Sequence, residues 1–279
     1  MYTFGLIGYP IKHSLSPWIH TTFLEQKNLK GTYELFEVSP QESIEQKLQT
    51  LKDKGVQGCN VTVPYKETVL PYLDVVDESA VEIGAINTIV FKNGKTYGYN
   101  TDGKGYVRSL ETSFPGVFTP SLRILLIGAG GAARGIYRAL LDKGCKEVSI
   151  ANRTLSTAES IREINQTETK SMIMSLEEAE EQLASYDVVI QTTSVGMKPH
   201  EEQSILSLNN IRQGTIVSDI VYQPIETSFL REAAARQCQV HYGHTMLLYQ
   251  AQYAFELWTG TKPEIGTMDE QLQHILEGK

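Results

Sequence analysis

Residues 124–133 read Ile124-Leu125-Leu126-Ile127-Gly128-Ala129-Gly130-Gly131-Ala132-Ala133. Four successive aliphatic side chains read as a strand. The glycines that follow fit G-x-G-x-x-G/A with alanine in the third place, and Ala132 opens a helical pattern to Lys143 with Ile136, Ala139 and Leu140 on one face. Gly128 permits the tight turn and Gly130 lets backbone approach a pyrophosphate. Ala129, Gly131 and Ala132 complete a helix N-terminus whose free N–H groups and positive dipole end favour an anion. Gly144 stands where a left-handed helix cap belongs. A second strand, Glu147–Ala151, closes a βαβ unit, and strand patterns at Asp187–Thr192, Thr215–Ile220 and near Val240 extend it. Right-handed parallel crossovers then predict a doubly wound, Rossmann-type sheet with its ligand crevice at the strands' C-terminal ends.

A site for NAD places a carboxylate about 20 residues beyond the glycines to hold the ribose 2′-hydroxyl. Here the second strand ends in Ala151-Asn152-Arg153-Thr154, with no acid. A guanidinium beside small hydrogen-bonding side chains holds a 2′-phosphate instead, so NADP is expected over NAD. Arg134 at the helix start is a second cation within reach of a cofactor, although either arginine can equally be a solvated side chain.

The N-terminal block opens with a strand over Phe4–Gly8 and a helix over Pro17–Gln26, with Ser16 as its cap and Pro17 in the first helical position. Ser14 and Ser16, two residues apart in an extended stretch, would share one side and donate to a single carboxylate while Leu15 points inward. His13 beside them has no acid or nucleophile at a telling spacing. After a helix around Gln41–Lys54, the run Gly58–Val63 alternates, with Val61 and Val63 facing one way and Asn60 and Thr62 the other. Pro64 stops the ladder and aims Lys66 across the strand's C-terminal edge. Asn93-Gly94 then joins strands Ala85–Phe91 and Lys95–Tyr99 in a type I′ hairpin, which makes this sheet mixed. Asp102 follows the second hairpin strand. A lysine acts as acid or base when partial burial lowers its pKa, or as a fixed cationic proton donor when an aspartate holds it, but sequence spacing alone does not bring Lys66 to Asp102. A polar stretch, Glu111–Ser121, separates the two blocks, and Met246–Trp258 forms a final amphipathic segment.

At roughly 150 residues per domain, 279 residues make about two domains. With 41% hydrophobic and 21% charged residues and no biased tract, the chain is ordinary globular material. A net charge of −8 argues against nucleic acid. Cys59, Cys145 and Cys238 are scattered and odd in number, which suits a reducing compartment and fits neither a disulfide framework nor a metal knuckle. No apolar run is long enough to span a bilayer and the first residues lack a basic leader, so a soluble cytoplasmic protein is expected.

Taken in order, His13-Ser-Leu-Ser-Pro17, Asn60-Val-Thr-Val-Pro-Tyr-Lys66, Gly84-Ala-Ile-Asn-Thr88, Tyr99-Asn-Thr-Asp-Gly103 and Gly128-Ala-Gly-Gly-Ala-Ala133 resemble the shikimate dehydrogenase family. The likeness continues through Asn152-Arg-Thr154, Thr193-Ser-Val-Gly-Met197, Asp219-Ile-Val-Tyr222 and Gln250-Ala251, almost the whole chain. The resemblance implies an α/β protein with an N-terminal substrate domain on a mixed, mainly parallel sheet (residues 1–102 and 241–279). It further implies a Rossmann-type NADP domain (103–240) and an active site in the cleft between them. It implies reversible NADPH-dependent reduction of 3-dehydroshikimate to shikimate, a step of aromatic amino acid biosynthesis. Lys66 and Asp102 would be the catalytic pair. Ser14, Ser16, Thr62 and Tyr222 would hold the substrate carboxylate, and Asn60, Asn87, Asp102 and Gln250 would bind the ring hydroxyls or support the groups that do. Asn152, Arg153 and Thr154 would take the 2′-phosphate, while Thr193, Ile220, Gly243 and Met246 would line the nicotinamide side. Two stretches depart from the family pattern: Gln191 stands where asparagine is commoner, and Gly243-His244-Thr245-Met246 is an unusual form of Gly-x-x-Met. The expected partner is a small-molecule substrate, the candidate assembly a homodimer, with no nucleic acid, membrane or metal. The competing readings are a quinate/shikimate dehydrogenase using NAD and a noncatalytic nicotinamide-binding sensor, which would have no need of Lys66 and Asp102.

Overall fold

A computed structural model describes residues 1–165 and 167–278. Contacts divide the chain into one unit of Met1–Gly105 with Leu248–Ile265 and another of Tyr106–Leu247 with Gly266–Lys279. Both sheets expected from the sequence are present. The domain limits expected at 102/103 and 240/241 instead fall a few residues later, and the chain's last segment belongs to the second unit.

In the first unit the strands are β1 (Tyr2–Gly8), β2 (Gly31–Glu37), β3 (Gly58–Val61), β4 (Val75–Val76), β5 (Thr88–Lys92) and β6 (Lys95–Tyr99). The helices are α1 (Ser16–Gln26), α2 (Ile44–Asp53), α3 (Tyr65–Thr68) and α4 (Glu78–Ile83). The strand order is β2-β1-β3-β5-β6-β4. β1 runs parallel to β2 and β3, whereas β5 is antiparallel to both β3 and β6. Asn93 and Gly94 both have positive φ, 53° and 72°, as the hairpin turn requires. On one face Phe4 stacks on Trp258 at 4.7 Å and meets Phe255 edge-on at 6.2 Å, and the Trp258 indole donates to the Ile89 carbonyl at 3.0 Å. On the other face Ile7, Cys59, Val61 and Ile89 pack with Leu48 and Leu51 of α2.

α5 (Asp102–Ser113) leads into the second unit. Its strands are β7 (Arg123–Ile127), β8 (Glu147–Ala151), β9 (Ile173–Met174), β10 (Val188–Gln191), β11 (Ile216–Asp219) and β12 (Gln239–His241). The helices are α6 (Gly131–Asp142), α7 (Leu155–Arg162), α8 (Leu176–Gln182) and α9 (Ser228–Ala235), with α10 (Gly243–Thr259) and α11 (Met268–Glu277) closing the chain. All six strands are parallel in the order β12-β11-β10-β7-β8-β9. The order reverses direction at β7, the switch point where doubly wound sheets bind ligands. Alternation sorts the central strand: Ile124 and Leu126 pack with Tyr106, Leu110 and Ile136, while Leu125 and Ile127 pack with Leu183, Phe229 and Leu230.

Several local expectations need correction. α1 begins at Ser16 itself, and its cap residue is Leu15, helical at φ −88° and ψ −3° with no side-chain cap. Ser14 and Ser16 are therefore not in an extended stretch; instead the Ser16 N–H donates to the Ser14 hydroxyl at 3.2 Å. β3 ends at Val61, and Val63, expected to share the face of buried Val61, is 64% exposed because Pro64 has already turned the chain. The polar linker read over Glu111–Ser121 starts inside α5, whose buried Tyr106, Val107 and Leu110 recur at helical spacing. α11 packs with the second unit, where the Asp269 carboxylate meets His244 Nε2 at 2.9 Å. Among the described residues no helix is long and apolar enough to cross a membrane.

Candidate functional site

Antiparallel β5 makes the first unit's polar cluster. It starts where β3 and β6 end, with Asn60 paired to Thr88 and Thr88 to Tyr99. Residues just beyond β3, just before β5 and just beyond β6 therefore meet at one sheet edge. Lys66 on α3, Asn87 ahead of β5 and Asp102 opening α5 are those residues. Lys66 Nζ lies 2.6 Å from Asp102 Oδ2, and Asn87 Nδ2 donates to Asp102 Oδ1 at 2.8 Å. The Asp102 side chain is 9% exposed and that of Lys66 27%, so the ammonium is the member that solvent or a ligand reaches. A short, charge-assisted contact to a nearly buried carboxylate holds the amine in one place.

Asn87 is the hub. Its Oδ1 accepts from the Thr101 N–H at 2.8 Å and the Thr88 hydroxyl at 2.9 Å. Its Nδ2 also reaches Thr101 Oγ1 at 2.9 Å and Gln250 Oε1 at 3.4 Å. Thr101, which carries no signal of its own inside Tyr-Asn-Thr-Asp-Gly, donates to the Gln250 carbonyl at 3.0 Å and ties α10 to the cluster. Asn60 on β3 donates to the Asn87 carbonyl at 3.2 Å. Thr62 and Ser14 are half-buried and Ser16 is buried. Tyr222 belongs to the second unit, where burial raises its phenol pKa above the ordinary value.

The second unit gathers the cofactor candidates. Gly128 has φ +108°, and a Cβ there would meet Thr192 Oγ1 at 2.6 Å and Thr193 Cγ2 at 2.8 Å, so only glycine fits. Gly130 caps α6 in extended conformation with no side-chain cap, no acid follows in the first turn, and nothing lies within 4 Å of where its Cβ would stand. The exposed N–H groups of that turn are thus open to an anion. Ala129 and Ala132 flank it half-buried, as does Gly131. A cavity of about 580 Å³ joins Gly128 to Asn152, Arg153, Thr154 and Thr193, with Ser194, Gln203 and Ser204 on its wall. Among the described residues that line it, none carries a carboxylate. A cradle that a Cβ would fill, a free helix N-terminus and a cation-lined pocket without an acid fit a dinucleotide bearing an extra phosphate. Gln203–Ile205 escape sequence reasoning because loop residues carry no periodic signal, and Ser194 is legible only as part of the Thr193–Met197 motif. Arg134 is not in this cavity and its guanidinium reaches Ser160 at 3.4 Å. Ile220 packs against the core cluster containing buried Met246, and a Cβ at Gly243 would collide with the Ile220 carbonyl oxygen at 2.4 Å.

The two departures from the family pattern have structural roles. Gln191 is 1% exposed and donates to the Val195 carbonyl at 3.0 Å and Asp219 Oδ1 at 3.2 Å, while its own oxygen accepts the Thr193 N–H. It pins the 191–195 loop beside the cavity. His244 pairs with Asp269, and the Thr245 hydroxyl donates to the Tyr242 carbonyl at 2.9 Å.

Asp219 is fully buried, and burial pushes its carboxyl up to about 7 despite donors from Val221, Thr227 and Gln191. The folded protein therefore holds a proton there that the unfolded chain releases near pH 4. This contribution to stability is complete below that pH and is lost as pH rises through about 7. The loss amounts to about 4 kcal/mol at most. Denaturant titrations from pH 4 to 8 should show wild type losing ground to Asp219→Asn across that window; parallel curves would contradict the assignment.

Three family models match successive stretches of the chain. Residues 6–89 match the family model for the shikimate dehydrogenase substrate binding domain, 115–228 that for shikimate / quinate 5-dehydrogenase, and 243–273 that for the shikimate 5′-dehydrogenase C-terminal domain. A shikimate dehydrogenase (NADP(+)) of Oceanobacillus iheyensis is 54% identical over 277 residues, 98% of each chain. The crystal structure of shikimate 5-dehydrogenase from Thermus thermophilus in complex with NADP(H) and shikimate superposes with a TM-score of 0.86 at 34% identity, over 97% of this chain and 98% of that one. Quinate dehydrogenase from Corynebacterium glutamicum in complex with NAD gives 0.89 at 30% identity, over 97% and 98%.

Proposed function

Because the chain belongs to the shikimate dehydrogenase family, we propose that it interconverts 3-dehydroshikimate and shikimate with NADP(H), using Lys66 and Asp102 as its proton-transfer pair. The observation that carries the assignment is the 2.6 Å contact between Lys66 Nζ and a carboxylate that Asn87 holds from its other side. NADPH, when bound, supplies the hydride. As the ketone is reduced, negative charge grows on its oxygen, and a donor already in place avoids the cost of reorganising one. Lys66 Nζ is that donor and gives its proton to the oxygen. Asp102 keeps the amine aimed and balances its charge, and Asn87 keeps Asp102 from turning. In the oxidative direction the same pair accepts the hydroxyl proton.

Ser14, Ser16, Thr62 and Tyr222 hold the substrate carboxylate, and Asn60, Asn87, Asp102 and Gln250 its hydroxyls. The hydroxyl-rich set and the hydrogen-bonded amides around Asp102 support this division. Arg153 with Asn152 and Thr154 takes the 2′-phosphate, a role supported by their shared cavity and its lack of acids. Gly128 to Ala132 take the pyrophosphate, and Thr193, Ile220, Gly243 and Met246 the nicotinamide side. The two domains are the substrate and cofactor halves of this scheme. Buried Cys59 and Cys145 and part-buried Cys238, all free thiols, support a cytoplasmic setting. A homodimeric assembly belongs to the same reading.

The test follows reduced nicotinamide by absorbance, with shikimate and quinate each offered against NADP and NAD. Shikimate with NADP should give the highest kcat/KM. Higher turnover of quinate with NAD would select the quinate reading, and cofactor binding without turnover would select the sensor.

A further inference from the structure

Tyr33, on β2, belongs to no motif read from the sequence, yet its hydroxyl ends inside the substrate side of the first unit. The residue is 8% exposed, and its phenol donates to Asn60 Oδ1 at 2.8 Å. The other end of that amide is fixed independently: Nδ2 points at the backbone carbonyl of Asn87, 3.2 Å away, and a carbonyl only accepts. Asn60 is 5% exposed and the His20 imidazole is a further polar neighbour of its amide, so removing the phenol takes away the hydroxyl donor that holds its oxygen. The same phenol has Ser16 as a second polar neighbour, and burial raises its pKa well above the ordinary tyrosine value, so it stays a donor. Its ring lies flat on the His20 imidazole of α1, centroids 4.5 Å apart and planes 2° apart. Burial lowers the His20 pKa to about 3, so this stacking surface is uncharged through the neutral range.

A chain of contacts results. Tyr33 orients Asn60, Asn60 donates to the Asn87 backbone, and the Asn87 side chain holds Asp102 against Lys66. We propose that Tyr33 is a positioning residue for the substrate: its hydroxyl locks the Asn60 amide so that the second lone pair of Oδ1 faces a shikimate hydroxyl. This rests on the reading that Asn60 touches the substrate. Tyr33 itself makes no contact with the reacting atoms and acts on binding rather than on the chemical step.

Tyr33→Phe keeps the ring and its stack while removing only the hydroxyl. The expected result is a KM for shikimate raised about 5- to 10-fold, the worth of one hydrogen bond, with kcat and the KM for NADP each within about twofold of wild type. In an Asn60→Ala background the same change should add less than about twofold, because Tyr33 acts through that amide. A merely structural tyrosine would add its full effect in both backgrounds. An unchanged shikimate KM in Tyr33→Phe, a loss shared by the NADP KM, or full additivity with Asn60→Ala would each overturn the proposal. Asn60→Ala with normal shikimate KM would instead remove the reading beneath it, and the proposal with it, so the two failures are distinct.

Discussion

Lys66→Ala is expected to lower kcat for shikimate oxidation by about 10²- to 10⁴-fold, the range for losing a positioned acid–base group. The KM for shikimate should move less than about fivefold, since an interaction made chiefly with charge developing in the transition state contributes little to ground-state binding. Steady-state kinetics with saturating NADP reads both quantities, and an unchanged NADP KM shows that the cofactor unit is intact. The variant also leaves Asp102, 6% exposed and still bonded to Asn87, without its cation. An unpaired buried carboxylate costs stability, so thermal melting should fall alongside turnover. Near wild-type kcat would show that proton transfer runs through some other group.

The second large effect concerns cofactor choice. Arg153 lines the cavity with Asn152 and Thr154, is exposed to solvent and has no carboxylate facing it there. A charge-assisted bond from a guanidinium to phosphate is worth roughly 1.5–3 kcal/mol. Arg153→Ala should therefore raise the KM for NADP about 10- to 100-fold while leaving the KM for NAD within about threefold, because NAD lacks the phosphate. The ratio of kcat/KM for the two cofactors measures this directly. Retention of the wild-type ratio would place 2′-phosphate recognition elsewhere.

The second unit is the more legible half because its physics is local. Gly128 announces a tight turn, the aliphatic run before it a strand, and the spacing of Ile136, Ala139 and Leu140 a helix. Each signal sits within a few residues of what it specifies. β2 is unreadable for the opposite reason. It is an outer strand with only Tyr33 buried among its seven residues, so the hydrophobic alternation that marks a strand is absent. α5 is masked because the Pro-Gly pair at 115–116 dominates the reading of its end, although Tyr106, Val107 and Leu110 carry a helical period.

In the site, residue types and motifs are legible but their assembly is not. Lys66 and Asp102 are 36 positions apart, and nothing in the intervening sequence says that they touch. That depends on the register of β3, β5 and β6, a property of non-local pairing. The expected Ser14–Ser16 geometry fails because it needs an extended backbone where Leu15 is already helical. Ser194 and Gln203 lie on connecting segments, whose course depends on packing rather than on periodicity.

The reversed strand β5 has a consequence for how activity is born. The amine, the amide and the carboxylate come from three separate stretches of chain that adjoin only after the hairpin has zipped alongside β3. Pairings of that kind form late, since their loop-closure entropy must be met before any contact rewards it. A refolding chain thus regains its secondary structure before its first turnover, and enzymatic rate serves as a clock for the moment the mixed sheet closes.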